Sequence, residues 1–110
     1  MAESSFFKAY GDCLAFSPDR YGKSTLFENE GVLVGLNCFE PGQSMEKHAH
    51  EVQTRFYFVV EGNGLAWVGR VKGDIEPGMV VWVLPGNTHR IENTGTKRMV
   101  LLAGIVAAHE

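Results

Sequence analysis

The stretch Gly42-QSMEK-His48-Ala49-His50-EVQT-Arg55-FYFVVE-Gly62 decides the reading of this 110-residue chain. In an extended strand over residues 46 to 50, side chains two apart share a face, so His48 and His50 would project to one side. A third imidazole is supplied downstream by His89, behind the turn Pro85-Gly86-Asn87-Thr88. Imidazole suits Fe, Zn, Ni, Cu and, less strongly, Mn, and a cap of three histidines leaves coordination positions open for water or substrate. Any one of these histidines alone reads more simply as a core or surface residue. Their joint spacing favours one divalent transition metal, and His109, near the chain end, reads as a solvated residue.

Working outward, the same stretch is similar to the first motif of the cupin superfamily: a glycine, five residues, His-x-His, three or four residues, a glutamate, six residues and a glycine. Every spacing matches, but Arg55 stands where the glutamate is expected. The stretch Gly78-MVVWVLPGNT-His89-RIE-Asn93 resembles the second motif, with Pro85 displaced by one position. The resemblance covers residues 31 to 105. It implies a small jelly-roll-like cupin β-barrel over residues 31–110, with residues 1–30 as an N-terminal arm that packs on the barrel or on a dimer partner.

The pattern between these motifs agrees with an all-β chain. Strand candidates are Gly31-VLVGLNCFE, Glu46 to His50, Arg55-FYFVVE, Leu65-AWVG after the turn Gly62-Asn63-Gly64, Val80-VWVL, His89-RIE and Arg98-MVLLAGIV. Apolar residues nowhere keep a helical period for more than a couple of turns. Gly42, Gly62, Gly78 and Gly86 read as turn and bulge positions, and Asn93 as an amide that ties a loop.

Strand parity gives the site its walls. If Arg55 faces inward, Tyr57 and Val59 do so too, leaving Phe56, Phe58 and Val60 outside. That outer stripe predicts a cover, either the arm around Phe6 and Phe7 or a second subunit; a homodimer is the expectation.

Arg55 is the departure with consequences. A guanidinium neither ligates a metal nor loses its charge near pH 7. About 5 Å from a dication, at an effective dielectric of about 20, it would be repelled by roughly 6 to 7 kcal/mol. It can turn toward a carboxylate such as Glu51, with Gln53 or water as fourth ligand; it can hold an anionic substrate, with Tyr57 lining the same cavity; or the metal can bind weakly or not at all. The first two together are the expectation.

Composition sets the remaining bounds. With 45% apolar and 21% charged residues this is one domain with a single core, and no run is long enough to span a membrane. The start Met1-AESSFFKAYGD lacks the features of a signal peptide, so the cytoplasm is the expected compartment and Cys13 and Cys38 are expected as free thiols. The net charge of -3 and the absence of a Lys/Arg block argue against nucleic acid. The resemblance implies a metal-dependent enzyme for a small anionic organic molecule, an oxidoreductase of the dioxygenase kind or else an isomerase or lyase. The alternative is a non-catalytic module that binds or senses a small ligand or a metal. No catalytic base stands out, and Tyr57 reads more readily as a cavity wall than as a proton relay.

Overall fold

The computed structural model describes residues 6–47, 49 and 52–107. Eight strands follow a short 3-10 turn at Tyr10–Cys13: β1 (Gly22–Asn29), β2 (Val32–Phe39), β3 (Gln53–Glu61), β4 (Gly64–Val68), β5 (Val71–Ile75), β6 (Val80–Val83), β7 (His89–Glu92) and β8 (Met99–Ala107). They form two antiparallel sheets, one in the order β1-β2-β8-β3-β6 and the other in the order β5-β4-β7. This is the all-β barrel expected of the chain.

The core lies between the sheets because each long strand alternates its side chains. Tyr57 and Val59 on β3, Met99, Leu101 and Ala103 on β8, and Phe39 on β2 point inward, against Ala66, Ile75 and Ile91 of the smaller sheet. Full burial of a Leu, Ile, Phe or Met side chain contributes about 1.5–3 kcal/mol, so this cluster dominates the stability of the barrel. The parity expected for β3 holds: Tyr57 and Val59 are buried while Phe58 is exposed.

Outside the larger sheet a second cluster gathers Leu26, Leu36, Cys38 and Val100 under Cys13 and Phe16. Arg98 fastens this cover, stacking over the Phe16 ring at 4.3 Å while pairing through two hydrogen bonds with Glu40. The cover stops short of β6. Val80, Trp82 and Leu84 stay exposed beside Phe58, and Phe6 and Phe7 are exposed as well.

Within residues 1–30, expected as an arm, residues 22–29 form an edge strand of the larger sheet. Only Leu26 of this strand is buried, and a bulge between Thr25 and Phe27 breaks its alternation, which leaves no clear period-two signal in the sequence. β5 escaped for a similar reason, since Val71-KGDI is exposed except at Ile75.

The strand expected at residues 46–50 is absent from the described residues of that stretch. Residues 45–47 and 49 take no strand conformation, and Ser44 alone bridges to Glu92. The segment follows β7 through Met45 N–H to the Ile91 carbonyl (2.8 Å) and Asn93 N–H to the Gln43 carbonyl (2.9 Å), so the connection from β2 to β3 leaves the larger sheet and runs beside the edge of the smaller one. His48 and His50 themselves lie outside the described residues.

Gly62 and Gly104 are among the glycines that close approach requires. Gly62 has φ +84°, and a Cβ there would fall 2.6 Å from Met99 Cα. Gly104 lies directly beneath the Phe56 ring, which covers it across the β3–β8 pair and stacks on Trp82 at 6.4 Å. Among the described residues no helix is long and apolar enough to cross a membrane.

Candidate functional site

A cavity of about 660 Å³ opens on the inner face of the larger sheet. Register explains why there is space. Thr25, Gly35, Ala103 and Tyr57 form one inward row across β1, β2, β8 and β3, and its two middle members are too small to fill the barrel. The next row places Leu33, Ile105 and Arg55 side by side, so Arg55 lines the cavity on the inward face, as expected.

Arg55 does not turn away. Its Nη2 donates to Gln53 Oε1 at 3.0 Å on the same face of β3, while its buried Nε has no hydrogen-bond partner among the described residues. Gln53, expected as a possible fourth metal ligand, thus has its carbonyl oxygen engaged by the guanidinium. Glu51, the other partner considered for Arg55, lies outside the described residues.

Tyr57 lines the cavity and reaches the opposite sheet. Its hydroxyl lies 3.0 Å from Nε2 of His89, at the start of β7; both residues are almost fully buried, with rings 5.7 Å apart. Burial pushes the Tyr57 hydroxyl above its ordinary range, opposed by the neighbouring Arg55 guanidinium, so at neutral pH the side chain is a phenol. A phenol can donate a proton in a hydrogen bond but cannot serve as a general base.

Of the expected metal ligands, His89 is placed deep in the barrel, whereas His48 and His50 lie outside the described residues. Among the described residues no three His, Cys, Asp or Glu side chains gather as a metal-holding group. His89 suits a divalent metal in kind, as a buried imidazole. The position that usually supplies a carboxylate supplies a fixed positive charge instead.

The wall also holds polar residues that the motifs do not mark, among them Asn37, Lys23 and Arg20. Asn37 pairs in register with Lys23 and is buried, and its Oδ1 finds no partner among the described residues. The signal for it was present, as the one polar side chain inside the apolar run Val32–Phe39. Lys23 and Arg20 sit at the exposed mouth, so with Arg55 three cations face the cavity against one carboxylate, Glu46, among the described residues. Asn93 performs the loop-tying role expected of it. Its Nδ2 donates to the carbonyls of Phe39 (3.1 Å) and Lys97 (2.9 Å), and its Oδ1 accepts from Gly95 N–H (3.0 Å).

A two-sheet barrel with this cavity, carrying both motifs, defines the class: the chain belongs to the cupin domain family, whose signature matches residues 35–105. It is similar to an oxalate-binding protein of Thermotoga maritima, 33% identical over 78 residues, which is 71% of this chain and 64% of that protein's length. Among solved structures, a protein of Thermus thermophilus superposes with a TM-score of 0.88 at 25% identity, over 94% of this chain and 98% of its own. A predicted oxalate decarboxylase from Thermotoga maritima superposes with a TM-score of 0.74 at 28% identity, over 77% of this chain and 78% of its own.

Proposed function

We propose that this cupin takes a small organic anion into the cavity beside Arg55, next to a divalent transition metal (Fe, Zn, Ni, Mn or Cu) held by His48, His50 and His89. The carrying observation is the Arg55 guanidinium, which lines the cavity with a buried donor that no described residue satisfies. Burying a charged group without its hydrogen bonds is costly, and a carboxylate is the complement that supplies both charge and acceptors. Similarity to an oxalate-binding protein supports a carboxylate over other anions.

The metal, where bound, would supply Lewis acidity and a site for O2 or a chelating substrate, as an oxidoreductase, isomerase or lyase requires. The chain's own side chains do the rest: Arg55 binds and orients the anion, Tyr57 holds His89 in place, and the apolar walls exclude water. A second reading, non-catalytic binding or sensing, is favoured by one observation. The Tyr57 hydroxyl is held neutral by burial and engaged with His89, so Tyr57 offers the cavity no general base.

The test is elemental analysis of protein purified without chelator or nickel resin, followed by calorimetric titration with oxalate and longer carboxylates. One metal per chain, with carboxylate binding that Arg55→Ala removes, is the expected result; binding indifferent to Arg55→Ala would refute the site. We further propose a homodimer formed over Phe58, Val80 and Trp82, in the cytoplasm.

A further inference from the structure

We propose that the ligand is a monoanionic hydroxy acid of about five or six carbons, its carboxylate on Arg55 and its hydroxyl on Asn37. This rests on the reading of the cavity as an anion site. Two buried polar atoms in the one cavity lack partners among the described residues, Nε of Arg55 and Oδ1 of Asn37. They are opposite in kind, since the first is a donor that asks for an acceptor and the second an acceptor that asks for a donor. A two-carbon diacid such as oxalate, fully ionised, offers acceptors only and can satisfy just the first.

Register sets the length. Asn37 faces Leu101 on β8, Leu101 faces Val59 on β3, and Arg55 lies four residues before Val59. Two inter-strand steps of about 4.8 Å and four residues of about 3.4 Å put the two Cα atoms about 17 Å apart. Even after the reach of the arginine side chain, oxalate is too short to touch both groups. Between them the wall is Leu33, Gly35, Ala103 and Ile105, which suits a methylene chain.

Charge excludes a cationic donor at the far end, and the Asn37 oxygen, an acceptor, excludes a carboxylate as its partner. Lys23 is the register partner of Asn37 and Arg20 also lines the cavity, so an ammonium group is repelled there. The Lys23 Nζ lies over the Tyr21 ring at 5.7 Å and the residue is exposed, so the end of the ligand that reaches Asn37 meets the buried amide oxygen. A hydroxyl satisfies that oxygen without adding charge.

The experiment is calorimetric titration of 6-hydroxyhexanoate, hexanoate, hexanedioate and oxalate into wild type, Asn37→Leu and Arg55→Met, with each variant's fold checked by its thermal melt. We expect wild type to prefer 6-hydroxyhexanoate over hexanoate and hexanedioate by about tenfold, which corresponds to about 1.4 kcal/mol. Asn37→Leu should erase the preference over hexanoate, and Arg55→Met should weaken both monoacids alike. Oxalate or hexanedioate binding as tightly as 6-hydroxyhexanoate, or a hydroxyl preference that survives Asn37→Leu, overturns this inference while leaving an Arg55-dependent carboxylate site intact. Binding of none of the four, or binding unaffected by Arg55→Met, overturns the anion site as well. The wild-type comparison stands even if a variant does not fold.

Discussion

Tyr57 and His89 join the two sheets through a hydroxyl-to-imidazole contact of 3.0 Å that is closed to solvent. Tyr57→Phe keeps the ring and removes the contact. It should lower stability by about 1–3 kcal/mol, because a buried imidazole nitrogen loses its partner. Urea denaturation checks this; a midpoint equal to wild type would show that the hydroxyl contributes nothing to the fold.

Substitution at Arg55 is expected to separate anion binding from metal binding. Arg55→Ala is expected to weaken carboxylate affinity by about 1.5–3 kcal/mol, the worth of a charge-assisted contact, while metal content stays the same. Arg55→Glu restores the carboxylate usual at this motif position. It is expected to tighten the metal and abolish anion binding. Titration of both variants decides, and values equal to wild type throughout would place Arg55 outside the site.

Cys38 gives the fold a pH signature. Its thiol is fully buried and accepts a hydrogen bond from Ala15 N–H at 3.5 Å, and burial pushes its ionisation above the ordinary thiol range. A group whose pKa is raised on folding contributes stability that is complete below its unfolded value, near 8.5, and is lost as pH rises through the folded value. The advantage of wild type over Cys38→Ala should therefore shrink above about pH 9, measured by denaturation at stepped pH. Cys13, partly exposed, should react with a thiol reagent before Cys38 does.

Asn93 has three hydrogen bonds to backbone groups of the β2 end and the β7–β8 connection, and is wholly buried. Asn93→Ala leaves those groups unmatched. A loss of about 2–4 kcal/mol is expected from the thermal melt, given about 1–3 kcal/mol for a buried group left unsatisfied. A loss below about half a kilocalorie would mean that water replaces the amide.

The exposed residues Phe58, Val80 and Trp82 lie together on the β3–β6 side of the larger sheet, beyond the reach of Phe16 and Cys13. Light scattering should find a dimer, and Trp82→Glu should shift it to monomer by burying a charge in the contact. A monodisperse wild-type monomer at high concentration would rule the dimer out.

How much of this could be read from the chain depends on burial. Strands such as Arg55-FYFVVE announce themselves through a run of aromatic and branched residues, and the inward side of Tyr57 follows by parity once the motif position of Arg55 is taken as inward. β1 and β5 bury almost nothing, so their sequences carry no such pattern. Asn37 was hidden for the opposite reason: its neighbours are so apolar that it read as part of a buried strand, and only the register across three strands shows which cavity it serves. Of the strand expected at residues 46–50, Glu46, Lys47 and Ala49 take no strand conformation, because spacing of histidines does not encode backbone conformation.

The order of the larger sheet, β1-β2-β8-β3-β6, has a kinetic consequence. Its central strand is the last to be synthesised, and both neighbours of β8 must wait for it: Val32 pairs with Val106, and Gln53 with Ala107. Until Met99–Ala107 leaves the ribosome, β2 and β3 expose unpaired edges and apolar faces that a growing chain cannot satisfy. Such long-range closure places refolding in the millisecond-to-second range of barrels rather than the microseconds of helical bundles. A nascent chain stalled before Met99 should consequently be sensitive to protease along β2 and β3, and become resistant only once the final strand has threaded between them.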